Sequence, residues 1–573
     1  MRLLMLMTAM VGIGVMACAA DVARGQAGDD RVAVAAKHDV VRVLDGFEQP
    51  ETWKVITADG VSLKVSADVG RDGAGKSARL EYDFSRGSGY AIIRKQFDLP
   101  LTENYRFSYF VRGEGPRNTM EFKLVDPSGD NVWWVNRRDY EWPREWTKLT
   151  LPKRKIGFAW GPAGAGVALK MVGFIEIVVT ASSGGKGTVW LDDLEFEELP
   201  EVKPYAGTPV FTGLNSPTAT PIATGAPPLK QIGAEGQVGW TSLPQDERPR
   251  MRVDFGQARE IGGMVIGWGA GYAADYDVLL SADGERFEPG ARVRGSNGGR
   301  DYVQLPDATV RAIEIRVLAR HDDAPVTLES VRFEPPEFGD SANALLTRMA
   351  GDSPRGWWPR AMRGEAVYWT VVGADGDTKE ALISEDGAVE VDKLGFSLEP
   401  FVYWGGEGGA LRTWADGTST QKLEEGYLPI PSVTRVDRGL ELEIKAFASG
   451  KAGESNLFVR YELQNTSDAS RSGKLFVAMR PMQVNPPYQD LNIIGGAAVV
   501  KSIRADRGAI AVDDRIVMPL TQIDGFGATT IDAGEVVEHL ALGHLPTNAA
   551  ATDPHGLCSG AFEYNFDLPP GVS

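Results

Sequence analysis

Aromatic residues crowd into the stretch NVWWVNRRDYEWPREW, Asn131 to Trp146, with charged residues between them. This mixture suits sugar recognition, because the apolar C–H face of a pyranose packs on an aromatic plane while fixed polar groups bind its hydroxyls. Adjacent residues of a strand point to opposite faces, so one of Trp133 and Trp134 belongs in the core and the other faces outward. The candidate carbohydrate-binding residues here are Trp133 or Trp134, Arg137, Tyr140 and Trp142. The alternative interpretation is a Trp-rich core with an exposed charged loop.

Catalytic chemistry is harder to assign from the residues. Acids such as Glu399 and Asp416 lie in strand-rich sequence and are interpreted as structural or solvent-facing. Three of the five histidines, His539, His544 and His555, could cluster, but their spacing matches no metal or catalytic motif. No nucleophile-elbow pattern supports a Ser-His-Asp triad, and no Gly-rich phosphate loop is evident.

Length, charge and the N-terminal segment narrow the class of protein. The 573 residues suggest three or four domains, and the net charge of -18 disfavours nucleic acid and anionic lipid as partners. Residues 1–27 combine Arg2, an apolar run and small residues, the pattern of a secretory signal peptide. Cys18 lies in VMAC, a partial lipoprotein motif. No other apolar run is long enough to span a bilayer. We therefore expect an exported protein without an internal disulfide, since Cys558 is the one cysteine beyond this leader.

Short period-two runs separated by turns fill the rest of the chain, which predicts an all-β protein. The runs fall into three units, residues 41–199, 229–336 and 357–573, with a Pro/Thr-rich linker at 200–228. GDSANALLTRMAG predicts a short connecting helix. In the second unit, MVIGWGAGYAADYDVLLSADGERF predicts a two-stranded hairpin and an Asp283-Gly284 turn.

The second unit resembles the discoidin, or coagulation factor 5/8 C-terminal, domain. The resemblance rests on VGWTS, VDFG, YDVLLSADGERF and LESVRF, over about 110 residues. It implies an eight-stranded barrel in which Met264, Ile266, Trp268, Tyr276 and Val278 are mostly core, with ligand loops near 226–238, 269–274 and 294–301. Tyr272 and Arg294 are the ligand-contact candidates on these loops. The family's Asp near the first loop is missing from QIGAEGQVGW, so calcium is not expected there.

The first unit resembles the galactose-binding-like jelly rolls that serve as carbohydrate-binding modules, through LDGFE at its start and VWLDDLEFEE at its end. The family often joins its first and last strands with a structural calcium ion. The resemblance therefore implies a calcium site at Asp45, Glu48, Asp192 and Asp193, whose oxygens are ligands of the kind that calcium uses. The alternative is that these acids only make turns. The resemblance also places Trp146 in the core.

The third unit resembles the β-supersandwich that precedes the (α/α)6 catalytic barrel of many glycoside hydrolases and phosphorylases, through FSLEPFVYW, RTWADG, GYLPIPSV and RPMQVNPPYQ. Glycosidases use paired carboxylates that lie, in those enzymes, on the helical barrel. No such barrel follows, so we interpret the chain as the N-terminal, carbohydrate-binding and non-catalytic part of such an enzyme, with a polysaccharide or glycan as partner. Two alternatives stay open: a non-enzymatic adhesion or scaffold protein at the cell surface, and a mutarotase-like sandwich using His and a carboxylate.

Overall fold

The computed structural model describes residues 41–201, 205, 207, 209–214, 231–232, 235–405, 409–488 and 494–573. Within these ranges the chain forms antiparallel sheets and two α-helices, which confirms the prediction of an all-β sandwich protein. No helix in the described ranges is both long and apolar enough to cross a membrane. The signal peptide, Cys18, most of the linker and the start of the loop at 226–238 lie outside the described residues.

Two sheets face each other in the first unit, in the orders β3-β4-β12-β6-β9, with β1 beside β12, and β10-β8-β7-β11-β5-β2. Alternating apolar residues such as Phe107, Phe122 and Ile177 fill the space between them. The strands are β1 (Val41–Asp45), β2 (Lys54–Thr57), β3 (Ser62–Val69), β4 (Lys76–Asp83), β5 (Tyr90–Pro100), β6 (Tyr105–Glu114), β7 (Asn118–Val125), β8 (Val132–Tyr140), β9 (Thr147–Pro152), β10 (Gly157–Trp160), β11 (Met171–Thr180) and β12 (Lys186–Glu198).

The second unit also consists of two sheets, each with five strands, in the orders β13-β16-β21-β18-β19 and β14-β15-β22-β17-β20. The strands are β13 (Val210–Leu214), β14 (Gln231–Ile232), β15 (Glu235–Thr241), β16 (Arg250–Glu260), β17 (Gly263–Trp268), β18 (Ala273–Ser281), β19 (Glu288–Arg294), β20 (Arg300–Gln304), β21 (Thr309–Arg320) and β22 (Thr327–Glu334).

The hairpin predicted between Met264 and Ser281 is wrong. Strand β17 pairs with β20 and β22, whereas β18 pairs with β19 and β21 in the opposite sheet. The true hairpin joins β18 to β19 around Asp283 and Gly284. All five residues predicted as core are buried: Met264, Ile266, Trp268, Tyr276 and Val278. In each strand alternate side chains face the core, whichever of the two sheets the strand joins.

Helix α1 (Ala342–Asp352) leads into the third unit, as GDSANALLTRMAG predicted. The Ser341 hydroxyl accepts a hydrogen bond from the Ala344 N–H at 3.2 Å and caps the helix. Leu345, Leu346 and Met349 pack with Trp358 and other buried residues of the third unit. The helix therefore belongs to that unit's core.

The third unit contains one large sheet in the order β23-β24-β25-β26-β32-β38-β36, with β27 beside β26, and two four-stranded sheets, β28-β29-β30-β31 and β35-β34-β33-β37. Its elements are β23 (Trp369–Gly373), β24 (Glu380–Ser384), β25 (Val389–Glu390), β26 (Ser397–Trp404), β27 (Ala410–Arg412), β28 (Thr418–Glu424), β29 (Leu428–Asp437), β30 (Leu440–Ser449), β31 (Asn456–Asn465), β32 (Arg471–Arg480), β33 (Ser502–Asp506), β34 (Ala509–Val512), β35 (Arg515–Val517), β36 (Gly525–Thr529), α2 (Val536–Leu540), β37 (Ala550–Thr552) and β38 (Ser559–Leu568).

Charged contacts join the units. Arg154 of the first unit donates to Asp340 at 2.8 Å and pairs with Asp307, and Lys155 Nζ lies 2.8 Å from Asp307 and 3.0 Å from Asp340. Side chains of Arg154, Lys155 and Asp340 are largely shielded from water, which weakens screening of these pairs by salt.

Candidate carbohydrate-binding face

Trp133 and Trp134 separate onto opposite faces of strand β8, as the pleat requires. Trp133 is 7% exposed, packs in the core and donates from its indole nitrogen to the Val167 carbonyl at 3.2 Å. Trp134 lies on the face of the sheet that points away from the core, which we call the outer face. Trp134 is therefore the member of the pair that a ligand can reach.

Trp134 meets Trp160 of β10 on this outer face. The two indoles are edge to face, with ring centres 5.3 Å apart, and Trp160 is 47% exposed. Gly157 lies directly opposite Trp134 in the neighbouring strand, and a Cβ built on it would meet open space. These two indoles, the aromatic corner, present an apolar surface to solvent that the sheet leaves uncovered.

A charged row runs across the sheet from the aromatic corner. Lys123 of β7 is directly opposite Trp134, Glu176 of β11 is opposite Lys123, and Arg94 of β5 is opposite Glu176. Lys123 and Glu176 are buried although they point away from the core. Neighbouring side chains therefore shield the floor of the outer face, and its charges act in a medium less polar than water.

The charges of the row are paired with one another. Lys123 Nζ lies 2.8 Å from Glu121 Oε2 and also sits over the ring centres of Trp134 and Trp160, at 5.8 and 5.1 Å. Arg94 lies 3.4 Å from Glu176. Burial raises the pKa of the Glu176 carboxyl, and the nearby cations Lys123 and Arg94 only partly offset this effect. The two cations of the row are thus paired with two anions.

Two polar atoms on the outer face make no hydrogen bond within the part of the chain that the structure describes. They are Oδ1 of Asn136, whose amide nitrogen lies 3.4 Å from Glu121, and Nε of Arg94, whose guanidinium covers the Phe174 ring at 4.0 Å. A buried polar atom without a partner is costly. Both atoms are shielded by neighbouring side chains, so a ligand hydroxyl reaches either one only if those side chains move.

Comparisons with known proteins give only distant structural similarity. No known protein family and no curated protein matches the chain. A solved family 11 carbohydrate-binding module of the cellulosomal cellulase Lic26A-Cel5E of Clostridium thermocellum is similar at 14% identity, over 27% of this chain and 94% of that one, with a TM-score of 0.23. Chitosan-binding module 1 from a chitosanase/glucanase of Paenibacillus sp. IK-5 is similar at 14% identity, over 22% and 98% of the two chains, with a TM-score of 0.17. The agarase AgWH50C is similar at 14% identity, over 29% and 25% of the two chains, with a TM-score of 0.20. Similarity at this level carries no argument about function.

The other aromatic candidates of the first unit do not join this face. Trp142 is 4% exposed, and its indole nitrogen donates to the Pro116 carbonyl at 3.0 Å. Tyr140 packs edge to face against Trp142, with ring centres 5.2 Å apart, and Arg137 is opposite the core residue Met120. The stretch that looked like one site is therefore split between the two sides of a sheet. Trp146, expected in the core, is half-buried beneath Arg112.

Acids of the expected calcium site come close together but already have protein partners. Asp45 accepts from Lys95 Nζ at 2.6 Å and from the Trp53 indole. Arg71 donates from its backbone to Asp192 at 2.9 Å and from its side chain to Asp193 at 3.0 Å, and Glu48 accepts from the Lys76 N–H at 3.0 Å. No group of three or more His, Cys, Asp or Glu residues is arranged to hold a metal in the described ranges. The calcium site stays a prediction.

Both ligand-contact candidates of the second unit, Tyr272 and Arg294, already contact other residues of the protein. The Tyr272 ring stacks on His321 with centres 4.4 Å apart and also contacts Gly298. Arg294 donates to Asp277 at 2.7 Å, and its backbone N–H donates to Asp532 of the third unit at 3.1 Å. The loop at 294–301 is therefore part of the junction between the second and third units.

Acids and histidines of the third unit are also engaged. Arg480 is fully buried and pairs with Glu399 at 2.8 Å and Glu535 at 2.9 Å, which gives Glu399 a structural role. His539 and His544 have ring centres 6.0 Å apart, and His539 bonds to the Ala533 carbonyl through Nε2. Of the three histidines that could cluster according to the sequence, His539 and His544 lie close together.

Six residues of the outer face were not singled out from the sequence: Arg94, Glu121, Lys123, Asn136, Trp160 and Glu176. A signal for three of them was present. In MEFKLV and FIEIVV, the residues Glu121, Lys123 and Glu176 are charged positions on the non-core side of otherwise apolar strands. Such strands are buried on both faces, and a charge within them needs a partner or a ligand.

Proposed function

We propose that the protein binds a neutral glycan on the outer face of its first unit. The observation that carries the proposal is the aromatic corner of Trp134 and Trp160 at the end of the charged row. An exposed indole packs against the C–H face of a sugar, and the partly exposed side chains of Asn136 and Arg94 are of the kinds that bond to hydroxyl groups.

Size and charge favour a chain of several neutral sugars. The row crosses four neighbouring strands, from β8 to β5, and with strands about 4.8 Å apart it is roughly 14 Å long, enough for about three sugar residues. Near the aromatic corner Lys123 is already paired with Glu121, and Arg94 is paired with Glu176, so an additional carboxylate there would meet paired charges. We therefore expect neutral glycans to bind more tightly than polyuronates.

We place this face in an exported protein that serves a glycoside-processing enzyme as a non-catalytic, carbohydrate-binding part. The leader pattern of residues 1–27 and the resemblances of the three units support this assignment. The second unit would hold the protein near its target as a discoidin-like module. A surface protein that adheres to glycans without catalysis is the alternative, and it would use the same outer face.

Affinity electrophoresis in gels that contain soluble glycans tests the proposal. The panel would include mixed-linked β-glucan, xylan, agarose oligosaccharides, alginate and chitosan, so that neutral, acidic and basic chains are compared. The double variant Trp134→Ala with Trp160→Ala should lose retention, since each lost sugar stack costs about 1 kcal/mol, or about fivefold in Kd.

Trp146→Ala is the matched control, because Trp146 is a half-buried tryptophan of the same unit that lies away from the aromatic corner. The control should be retained like the wild type. Equal retention of the double variant and the wild type on every retaining glycan would disprove the site. Retention by alginate alone would disprove the preference for neutral chains.

A further inference from the structure

The contacts between the second and third units include two groups of different chemistry. In the first group, beside helix α1, Arg332 donates to Asp352 at 2.5 Å and Arg348 donates to Glu334 at 3.1 Å. The Tyr302 hydroxyl also donates to Asp352, at 3.2 Å. Both carboxylates of this group have an arginine as partner, so the contact stabilises their ionised form.

The second group joins the loop between β19 and β20 to the segment that leads into α2. The Arg294 backbone N–H donates to Asp532 at 3.1 Å, and the Asn297 amide donates to Glu538 at 3.1 Å. The two segments pack closely, because a Cβ built on Gly534 would lie 2.2 Å from Nδ2 of Asn297. In this group, therefore, the acids of the third unit accept from neutral donors.

Asp301 of the second unit completes a group of three acids at this side of the junction, Asp301, Asp532 and Glu538, which we call the acid cluster. Asp301 is buried, and the other two are half-buried. Burial raises the pKa of Asp301 to about 6 and that of Glu538 to about 7, and it also raises the pKa of Asp532. The acid cluster therefore holds protons that exposed carboxyls would release.

The charged groups around Asp532 do not neutralise it. The Arg294 guanidinium donates to Asp277 at 2.7 Å, so its charge is shared with that acid. His555 favours the charged form of Asp532 while its ring is protonated, whereas Asp553 opposes that form. Ionisation of Asp532 thus adds a negative charge to a shielded place that already faces another acid.

Glu538 and Asp301 also face acids. In addition to burial, the charges of Glu535 and Asp301 raise the pKa of Glu538, although Glu535 is itself paired with Arg480 at 2.9 Å. Burial raises the pKa of the Tyr272 phenol near Asp301, so this ring stays neutral and supplies no positive charge. Full ionisation of the acid cluster therefore brings like charges together in a shielded contact.

We propose that the junction is a pH-operated hinge, in which the acid cluster ionises as pH rises from about 5 to about 8 and the β19–β20 loop then moves away from the segment before α2. Separation returns the charges to water, while the ion pairs beside α1 persist and both units stay folded. The closed form binds protons more tightly than the open form, so low pH favours closure. The proposal goes beyond glycan binding and does not depend on it, because no residue of the outer face takes part.

A distance measurement across the junction tests this hinge in the full chain with Cys18→Ser, because Cys558 is fully buried and takes no label. Nitroxide labels would be placed at Arg292→Cys, an exposed position in β19, and at Leu542→Cys, which is 70% exposed and follows α2. Pulsed electron spin resonance should give one distance at about pH 5 and a longer one at about pH 8, with unchanged circular dichroism.

The labelled double variant Glu538→Gln with Asp532→Asn keeps the acceptor oxygens but cannot ionise at these two positions, so it should keep the short distance at the higher pH. Asp524→Asn, at an exposed acid of the same unit, is the control. If the double variant fails to fold, Glu538→Gln alone decides and should shift less than the labelled protein without it. The proposal is overturned if the distance is the same at both pH values, or if the amide variant shifts like the labelled protein. Loss of circular dichroism over the same range would also overturn it, since the units would then unfold rather than turn.

Discussion

Trp268 and Tyr276, from opposite sheets of the second unit, donate hydrogen bonds to the same carboxylate oxygen of Asp301, each at 2.7 Å. Their rings also meet at a steep angle, with centres 5.4 Å apart. The Ser296 hydroxyl donates to Asp301 at 2.9 Å. One buried acid therefore ties the two sheets to the loop that contacts the third unit.

Removing this acid should destabilise the second unit. Asp301→Ala leaves three buried donors without an acceptor, and each unsatisfied group costs about 1–3 kcal/mol. We expect Asp301→Ala to lower the free energy of unfolding, measured by urea denaturation, by at least 2 kcal/mol. Asp301→Asn should lower it less, because one acceptor oxygen remains. Asp322→Ala, at an exposed acid of the same unit, is the control. A wild-type midpoint for Asp301→Ala would contradict this role.

Stability of the junction between the second and third units should depend on pH. Burial raises the pKa of Asp301 to about 6 and that of Glu538, which accepts from Asn297 at 3.1 Å, to about 7. Both carboxyls bind protons more tightly in the folded chain than in the unfolded chain, where their pKa values are about 4. Their contribution to the free energy of unfolding therefore falls as pH rises from about 4 to about 7.

Thermal unfolding of the wild type and of Glu538→Gln, followed at several pH values between 4 and 8, measures this effect. The amide does not titrate, so the variant should gain stability relative to the wild type as pH rises. Glu51→Gln, at an exposed acid of the first unit, is the control. A difference between Glu538→Gln and the wild type that is constant with pH would rule out titration of Glu538 in this range.

Replacement of Trp142 by Ala should mainly lower stability, whereas replacement of Trp134 should mainly weaken glycan retention, because Trp142 is in the core and Trp134 lies on the outer face. Trp142→Ala removes a buried indole and should cost about 3–5 kcal/mol of stability. Trp134→Ala should cost about 1 kcal/mol or less while it weakens glycan retention. Differential scanning calorimetry separates the two effects. Similar losses of stability for both variants would mean that Trp134 is also a core residue.

Arg480 should be essential to the third unit's stability. Arg480→Met leaves Glu399 and Glu535 buried without their cation, and breaking such a pair costs about 3–5 kcal/mol. The triple variant with Glu399→Gln and Glu535→Gln should recover much of that loss, since no charge is then left unpaired. Urea denaturation measures both. A triple variant no more stable than Arg480→Met would show that packing, not charge, explains the loss.

Local patterning determined most of the strands and the core. Alternation in MVIGW and YDVLL predicted strands there, in which the resemblance implied that Met264, Ile266 and Val278 are core, and the pleat dictated that Trp133 and Trp134 face opposite ways. Both results depend on the two-residue period of a strand, which neighbours in sequence fix by themselves. Helix α1 was equally visible, since its apolar spacing and its Ser341 cap are local.

Tertiary structure alone decided which strands pair and which side chains share the outer face with Trp134. Strands β17 and β18 are consecutive in the chain but join opposite sheets, and the candidate site combines Arg94, Lys123, Trp134 and Glu176 from four different strands. Arg137, Tyr140 and Trp142, which are near Trp134 in sequence, lie on the core side instead. Pairing and register depend on contacts between residues tens of positions apart, so no local pattern could bring these side chains together.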